Sequence, residues 1–228
     1  MRIETFVLTA FQQNTRVVSC EATKKAICVD PGEPSSEVVN YIRDNDLELQ
    51  AIILTHGHLD HIGGTGALAS EFPDAEILLH EEEMYLYEKL PQQPLFMGIQ
   101  PHQMRELGLE YDPAPQPTRF LNDGEIYDVG NLKFLIRHVP GHTLGHIVLA
   151  EQSEKAVFTG DCLFSGTVGR TDLPGGDHEQ LISSITERVL TLGDDFTVYC
   201  GHGPETTIGR ERASNPFLTG QYQIGKSL

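Results

Sequence analysis

Short runs of apolar residues, separated by polar and turn-forming residues, dominate the first third of the chain. Runs of this kind predict β-strands. The predicted strands span residues 3–10, 15–19, 26–29 and 51–54. Between the last two strands, Val38, Val39 and Ile42 recur at helical spacing after a serine, which predicts a helix over residues 35–44. The order strand, helix, strand indicates a mixed α/β fold.

The rest of the chain continues this pattern around one segment of different character. Helices are predicted over about residues 64–71 and 179–190, and strands over residues 75–79, 132–137, 147–150, 156–158 and 197–199. Residues 81–120 are instead rich in Glu, Gln, Met and aromatic residues, and six prolines break them into short pieces. We expect this segment to be a surface insertion that covers a cleft, within one domain spanning residues 1–228.

Composition narrows the range of functions. The chain has 228 residues and a hydrophobic content of 39%, which is enough to bury the core of one domain. Its 16 Lys and Arg residues against 33 Asp and Glu residues give a formal net charge of -17. This charge repels phosphate backbones and disfavours a nucleic-acid partner. A local basic pocket for one small anionic ligand is still compatible with it.

Cysteine usage and the N-terminal sequence favour a cytoplasmic protein. The four cysteines form no C-x-x-C pair, and a chain of this size does not need disulfides to hold its core. The first residues lack the basic start and apolar stretch of a signal peptide, and no later apolar run could span a bilayer. We therefore expect a soluble cytoplasmic protein with no membrane partner, and the oligomeric state stays open.

A dense group of metal-binding side chains follows the strand predicted over residues 51–54. Residues 55–61 read THGHLDH, which places three histidines and one aspartate at the end of a buried strand. With this chain's composition, the pattern H-x-H-x-D-H arises by chance in roughly one chain per thousand. The alternative is a polar loop with solvated histidines, but adjacent loop positions rarely need so many imidazoles.

Three later segments repeat the same arrangement of an apolar strand followed by a ligand beside glycine. The ligands are His142, Asp161 and His202. Glycine at these points lets the backbone turn sharply, so that the side chains can come together. Each segment alone is a weak signal. Together with the histidine motif they supply enough ligands for two metal ions.

These motifs resemble those of the metallo-β-lactamase superfamily and, within it, of the short bacterial glyoxalase II (hydroxyacylglutathione hydrolase) type. The resemblance implies an αββα sandwich with two metal ions at one edge, between the sheets. It also implies the ligand sets, namely His56, His58 and His142 for the first metal, Asp60, His61 and His202 for the second, and Asp161 as the bridge. Asp60 is then also expected to be catalytic, by orienting the hydroxide between the metals.

The chemistry of such a centre predicts hydrolysis of a thioester. Imidazole and carboxylate ligands suit zinc, iron or manganese, and of these we favour zinc. Two cations lower the pKa of a shared water to produce a bridging hydroxide, and one of them polarises the substrate carbonyl. A thiol with a pKa of about 8.5 leaves without much help from a general acid. The expected substrate is S-lactoylglutathione or a related 2-hydroxyacyl thioester.

Arg170 is the candidate substrate-binding residue. It follows Asp161 closely enough to line the cleft, and in the glutathione-using relatives a basic residue of the matching loop contacts the glycine carboxylate of glutathione. A guanidinium binds a carboxylate bidentately. Alternatively, Arg170 pairs with Asp172 and only shapes the loop. Longer glyoxalase II enzymes carry a C-terminal helical domain with further glutathione contacts that this sequence does not match, so the thiol carrier stays open.

Several other polar residues have structural as well as functional interpretations. Asp30 ends a predicted strand, where it either braces the histidine loop or occupies an ordinary turn. His146 begins the strand after His142 and is expected to support a ligand or to pack, rather than to bind metal. The remaining histidines lack metal-ligand spacing and are interpreted as surface or core residues: His80, His102, His138 and His178.

The main competing function is that of a single-iron persulfide dioxygenase of the same superfamily. Such enzymes share a Gly-Arg-Thr-Asp loop, but their last histidine ligand typically lies in a Pro-Ala-His-Asp-Tyr context. This chain reads CGHGP over residues 200–204, which favours the hydrolase. The lack of a signal peptide disfavours a β-lactamase, and the negative charge disfavours a nuclease. A binding module without catalysis would not need seven ligands.

Overall fold

The apolar runs of the sequence form two six-stranded sheets. The structure is a computed structural model that describes residues 1–96, 98–107, 109, 111, 113 and 115–221. The first sheet has the order β1-β2-β3-β4-β5-β6. Its strands are β1 Arg2–Leu8, β2 Gln13–Ser19, β3 Lys25–Val29, β4 Glu48–Ile53, β5 Glu76–Leu79 and β6 Arg119–Phe120. β1, β2 and β3 pair antiparallel, and β3 to β6 pair parallel.

The second sheet is built from the second half of the chain, with the order β14-β13-β10-β9-β8-β7. Its strands are β7 Ile126–Val129, β8 Leu132–His138, β9 Ile147–Glu151, β10 Ala156–Gly160, β13 Thr197–Cys200 and β14 Thr206–Thr207. A separate hairpin consists of β11 Leu163–Phe164 and β12 Thr167–Val168. β10 and β13 pair parallel, so the ligand-bearing segments after these two strands leave the sheet at the same edge.

Alternating side chains of each sheet divide the core into three layers. The layer between the sheets includes Val18 and Ile53 of the first sheet and Phe134 and Phe158 of the second. The opposite face of the first sheet packs on the helices α1 Ser36–Asp44 and α3 Thr65–Glu71. The outer face of the second packs on α6 His178–Ser184 and α7 Ile208–Ser214. This arrangement confirms the expected αββα sandwich.

The helix boundaries follow local capping. Ser35 caps α1 by accepting a hydrogen bond from the backbone of Val38, close to the predicted boundary. The helix predicted over residues 179–190 begins one residue earlier, after the cap Asp177, and ends as an α-helix at Ser184. It continues as a π-helical stretch, Ile185–Val189, and a 3₁₀ turn, Leu190–Leu192. Periodicity alone does not distinguish these helix types.

The segment 81–120 packs more deeply than a surface cover. It contains the short helices α4 Met84–Tyr87 and α5 Gln93–Phe96, and its final residues form β6. Leu86, Tyr87 and Leu90 are buried. Apolar side chains that precede the first proline of the segment, Pro91, thus reach the core, and the expectation that the segment covers a cleft stays a prediction. Residues 97, 108, 110, 112 and 114 of the segment lie outside the described residues.

No helix in the described part of the chain is both long and apolar enough to cross a membrane. The short helix α2 Leu59–Ile62 completes the set and carries part of the histidine motif. It begins directly after the loop that follows β4. The first sheet thus presents the whole motif at one edge of the sandwich.

Candidate metal centre

All seven predicted ligands meet at one edge of the sandwich. The first four lie between the end of β4 and α2, and the other three follow β8, β10 and β13. Backbone and side-chain contacts join the two sheets at this edge. Gln13 and His202 form an isolated β-bridge, and the side chain of Asn14 donates hydrogen bonds to the carbonyls of Cys200 and Gly203, at 3.0 and 2.9 Å. Both sheets therefore contribute to one site.

The first ligand cluster consists of three histidines. His56, His58 and His142 each present a ring nitrogen within 4.8 Å of the others. Nδ1 of His58 lies 3.0 Å from Nε2 of His142. The rings of His58 and His142 lie edge to face, with centroids 4.8 Å apart. A tris-imidazole group of this kind is a common ligand set for zinc and other divalent metals.

The second cluster adjoins the first and contains a carboxylate. Asp60, His61 and His202 also lie within 4.8 Å of one another through their ligand atoms. Nε2 of His202 is 3.3 Å from Oδ2 of Asp60 and 3.1 Å from Nε2 of His61. Asp161 lies between the clusters, because Oδ1 is 3.3 Å from Nε2 of His61 while Oδ2 is 3.9 Å from Nε2 of His142.

The glycine beside the last ligand is required by close packing. A Cβ atom at Gly201 would collide with Oδ1 of Asp161 and would lie 2.8 Å from Cε1 of His61. The absence of a side chain lets the backbone before His202 approach both ligands. This is the role that the sequence predicted for the glycines beside the ligands.

Hydrogen bonds on the outer side of the rings orient four of the histidines. Nδ1 of His61 lies 3.0 Å from Oδ2 of Asp30, and Nδ1 of His56 lies 3.0 Å from the hydroxyl of Thr55. Since that hydroxyl donates to Asp30, it accepts from His56.

The other two histidines are fixed by backbone oxygens. Nδ1 of His142 is 2.7 Å from the carbonyl of Arg170, and Nδ1 of His202 is 2.9 Å from that of Phe11. A carbonyl oxygen only accepts, so each Nδ1 carries the proton. In all four rings Nε2 then faces the site, where it can bind a metal ion in place of a proton.

The donor atoms fit a divalent cation. Nε2 of His56 and Oδ1 of Asp161 are buried and have no hydrogen-bond partner among the described residues. Burial lowers the pKa of His58 to about 3 and also lowers those of His56 and His142, so these rings are neutral and present lone pairs. Buried lone pairs that face one another without hydrogens between them are stabilised by a bound cation.

The carboxylates add the negative charge that a cation would neutralise. Burial favours the neutral acid at Asp60 and Asp161, but His61 and the other imidazoles outweigh it and lower the pKa of both. Burial likewise opposes protonation of His61, yet Asp161 and Asp60 raise its pKa. Two ionised carboxylates buried among imidazoles thus require positive charge, which two divalent metal ions would provide.

Asp30 and His146 support the ligands from outside. Asp30 is buried, accepts from the amide and hydroxyl of Thr55 at 2.7 and 2.6 Å, and holds His61. Of the two interpretations, the bracing role is therefore the one observed. His146 stacks on His56, and its Nε2 accepts a hydrogen bond of 3.1 Å from the backbone amide of Asp161. As expected, it supports a ligand and is not placed as one.

Two buried polar residues of the segment 81–120 also support the site, although their sequence pattern did not mark them as functional. Glu83 accepts hydrogen bonds from the amides of Gly57 and Gly145, at 2.6 and 2.7 Å. It thereby joins the loop of the first two histidines to the loop after His142. Burial raises its pKa to about 7.

Gln93 completes this connection. Its side-chain oxygen accepts from the amide of Leu59 at 2.8 Å, and its amide nitrogen donates to the carbonyls of Gly57 and Leu86, at 2.7 and 3.0 Å. The side chains of Glu83 and Gln93, more than twenty residues away in sequence, thus hydrogen-bond the backbone of the histidine motif. The only sequence signal was the presence of Glu and Gln among apolar residues.

Arg170 forms a bidentate pair with Asp172. Its Nε and Nη2 atoms donate to the two carboxylate oxygens at 2.7 Å each, and both side chains are exposed. This is the loop-shaping arrangement considered from the sequence. A substrate carboxylate would have to compete with Asp172 or use the remaining N–H groups, so substrate binding by Arg170 stays a prediction.

His80 and His138 have a spatial partner that sequence spacing did not reveal. Their rings stack with centroids 4.2 Å apart, and with Glu82 they form a group of potential ligands. This proximity does not contradict their interpretation as surface or core residues, which rested on sequence spacing alone. Both rings already make hydrogen bonds, however, since His138 donates to the carbonyl of Leu144 and His80 accepts from the amide of Glu82.

Comparison with known proteins identifies relatives of this chain. The sequence profile of the metallo-β-lactamase superfamily matches residues 8–202. Hydroxyacylglutathione hydrolase GloC of Haemophilus influenzae is 42% identical over 219 residues, which cover 96% of this chain and 98% of that protein.

Three solved structures share the fold over nearly the whole chain. TTHA1623 in a di-iron-bound form has a TM-score of 0.81 and 33% identity, and the match covers 94% of this chain and 100% of that one. BLEG-1 B3 metallo-β-lactamase has a TM-score of 0.80 and 32% identity, covering 96% and 100%. ETHE1 from Myxococcus xanthus has a TM-score of 0.74 and 27% identity, covering 96% and 85%. With its fold, its ligand clusters and these matches, the chain belongs to the metallo-β-lactamase superfamily.

Proposed function

We propose that this protein is a binuclear metal-dependent thioester hydrolase of the glyoxalase II type. The proposed substrate is S-lactoylglutathione or a related 2-hydroxyacyl thioester. The similarity to a hydroxyacylglutathione hydrolase over 96% of the chain supports this substrate class. A cytoplasmic location remains part of the proposal.

The observation that carries the proposal is the second ligand cluster. Asp60, His61 and His202 form a complete set beside the first cluster, with Asp161 between the two. When bound, two divalent cations, with zinc favoured over iron or manganese, supply a hydroxide nucleophile at neutral pH and polarise the carbonyl. A single-iron dioxygenase would not require the second set.

The residues of this chain have distinct roles in the proposed reaction. Asp60 orients the attacking water by accepting a hydrogen bond from it. Asp161, between the two ligand clusters, fixes their relative positions. Asp30 and Thr55 keep His61 and His56 in the tautomers that present Nε2. Arg170 would receive a carboxylate of the thiol carrier. The thiolate departs without a proton donor, because its conjugate acid has a pKa of about 8.5.

The deciding experiment is thiol release from S-lactoylglutathione with and without oxygen. Purified protein is loaded separately with zinc, iron(II) and manganese, and free thiol is followed with a colorimetric reagent. We expect equal rates under air and under anaerobic conditions. Asp60→Asn should lower kcat by roughly a hundredfold or more. The same change at Asp128, an exposed residue paired with Lys133, is the matched control and should have no effect.

Two other outcomes would identify a different enzyme. Oxygen consumption with glutathione persulfide, without thiol release under any metal loading, would establish the single-iron persulfide dioxygenase instead. Faster turnover of a chromogenic cephalosporin than of any thioester would establish a β-lactamase.

Metal analysis of protein prepared without chelator should give more than one equivalent per chain.

A further inference from the structure

A small cleft lies beside the first ligand cluster. It has a volume of about 70 Å³, and its walls include Tyr85, Leu86, Leu173, Pro174 and His58. The exposed residue Lys89 also lines it. Because His58 belongs to both the cleft and the candidate metal centre, the two are separated by no more than one side chain.

Specific contacts between distant parts of the chain join two walls of the cleft. The hydroxyl of Tyr85 donates a hydrogen bond of 2.9 Å to the carbonyl of Pro174. The next residue, Gly175, has a φ of +90°, and a Cβ atom there would collide with the Tyr85 hydroxyl. Glycine is thus needed both for the backbone conformation and for the close approach. Specific contacts therefore fix the wall formed by α4 and the loop 173–175.

Most of the wall is apolar because its polar groups are used elsewhere. Gln93 also lines the cleft, but its side-chain oxygen and nitrogen bind the backbone of Leu59, Gly57 and Leu86. The Tyr85 hydroxyl is committed to Pro174. An apolar group that enters the cleft would therefore displace water without breaking these hydrogen bonds.

The volume sets the size of the occupant. One water fills roughly 10–15 Å³ of such a space, so the cleft accommodates on the order of five non-hydrogen atoms. The acyl substituent of a thioester has this size, whereas a tripeptide thiol carrier is several times larger. A lactoyl group, with a single methyl beyond its hydroxyl-bearing carbon, would leave most of the cleft unfilled.

We propose that this cleft is the acyl pocket, and that the enzyme prefers 2-hydroxyacyl thioesters whose acyl chain extends three to four apolar carbons beyond the hydroxyl-bearing carbon. The inference rests on the proposed thioester hydrolysis and specifies its substrate. Burial of each additional methylene stabilises binding enough for up to about a fourfold gain. Because part of the cleft is open to solvent, the total gain over lactoyl is on the order of tenfold.

The test is a series of glutathione thioesters of increasing acyl length, assayed on the zinc-loaded enzyme. The acyl groups are lactoyl, 2-hydroxybutanoyl, 2-hydroxyhexanoyl and 2-hydroxydecanoyl. We expect kcat/KM to rise to a maximum at 2-hydroxyhexanoyl and to fall for 2-hydroxydecanoyl. S-butylglutathione should likewise inhibit about tenfold more strongly than S-methylglutathione, which reports binding without turnover.

Variants of one wall residue should move this optimum in opposite directions. Leu173→Trp fills the cleft and should shift the maximum to lactoyl, with a loss of about tenfold for 2-hydroxyhexanoyl. Leu173→Ala enlarges the cleft and should shift the maximum toward 2-hydroxydecanoyl. Leu95→Trp is the matched control, because Leu95 lies on α5, is 58% exposed and does not line the cleft. It should leave the chain-length profile unchanged.

The outcomes separate the pocket from the reaction itself. Hydrolysis of all four thioesters with a flat length profile, or with the same optimum in wild type and both Leu173 variants, would overturn the acyl pocket and leave the proposed function standing. Hydrolysis of none of them under any metal loading would overturn both. If Leu173→Trp fails to fold, the chain-length profiles of the wild type and of Leu173→Ala still test the acyl pocket.

Discussion

The substitution Asp30→Asn should weaken both ligand clusters, although Asp30 is not expected to bind metal. In the structure, Oδ2 of Asp30 accepts from the hydroxyl of Thr55 and from Nδ1 of His61, and Oδ1 accepts from the amide of Thr55. Asparagine keeps the oxygen toward the amide but replaces the other oxygen with an NH₂ donor. That donor can be accommodated only if its two partners become acceptors.

The tautomers of two ligands then reverse. His61 must deprotonate Nδ1 and carry its proton on Nε2, which faces Asp161 and the candidate metal centre. The Thr55 hydroxyl must turn toward Nδ1 of His56, which lies 3.0 Å away, so that His56 changes in the same way. One ligand of each cluster thus loses the lone pair it presents. The backbone is expected to tolerate the change, since Asp30 has a φ of +52° and asparagine adopts this conformation readily.

The expected magnitude is that of losing an outer hydrogen-bond partner of a metal ligand. Such changes lower metal affinity by about 10- to 100-fold, equivalent to about 1.4–2.8 kcal/mol for each site. The assay is competition for zinc against a chromogenic chelator, with kcat for thioester hydrolysis measured at saturating zinc. Urea denaturation of the metal-free protein checks that the variant is folded.

The control is Asp128→Asn, the same chemical change at an exposed carboxylate on β7. It should leave metal affinity within twofold of wild type. If folded Asp30→Asn also binds zinc within twofold of wild type, the assignment of the Nδ1 protons to the outer partners is wrong. A loss confined to one of the two sites would show that Thr55 does not relay the change to His56.

Three further predictions concern other residues around the site. Asp161→Ala should lower metal occupancy at both positions, as measured by elemental analysis, because its carboxylate lies beside both clusters. Unchanged metal content would contradict the ligand assignment. Arg170→Ala should raise KM for anionic thioesters by about 10- to 150-fold with a smaller change in kcat, corresponding to about 1.5–3 kcal/mol for a charge-assisted contact. Asp172→Ala should instead lower KM, because it frees the guanidinium. Equal KM values for all three proteins would leave Arg170 with its structural role alone. Glu83→Gln should remove a pH dependence of the free energy of unfolding. Burial raises the pKa of Glu83 from 4.5 to about 7, so ionisation of this carboxyl is less favourable in the folded than in the unfolded protein. The free energy of unfolding of the wild type therefore declines as pH rises between these values, by on the order of 3 kcal/mol from this group. Urea denaturation at saturating zinc between pH 5 and 7 would show this difference in slope, and parallel curves would refute it.

The convergence of the candidate ligands on one edge could be predicted from sequence because most of them follow a strand. Buried strands are visible as apolar runs, and in a sheet their ends converge on one edge, so His56, His142, Asp161 and His202 could be grouped without coordinates. The local motif around Asp60 added the rest. What the sequence does not encode locally is the partner on the outer side of each ring. The backbone carbonyls of Arg170 and Phe11 hold His142 and His202, and any residue type could supply a carbonyl.

The contacts of the segment 81–120 with the histidine loops could not be predicted either, because they also depend on tertiary packing. Its glutamates and glutamines are indistinguishable by composition, yet Glu83 is buried against the histidine loops while Glu82 is exposed. Which of them turns inward depends on where the short helix α4 packs, a property set by tertiary contacts. The pairing of His80 with His138 is likewise invisible, because 58 positions separate them along the chain.

The candidate ligands lie on both sheets, so metal ions bound there would physically connect the two halves of the molecule. Four ligands belong to the half built on β4, and three belong to the half built on β8, β10 and β13. Metal affinity is then linked to the free energy of bringing these halves together. A substitution in the layer between the sheets, far from any ligand, should therefore change how tightly metal is held, and a chelator should loosen the sandwich at this edge first. In this respect the metal centre resembles a reversible cross-link, and hydrogen exchange of β2 and β13 with and without metal would measure its strength.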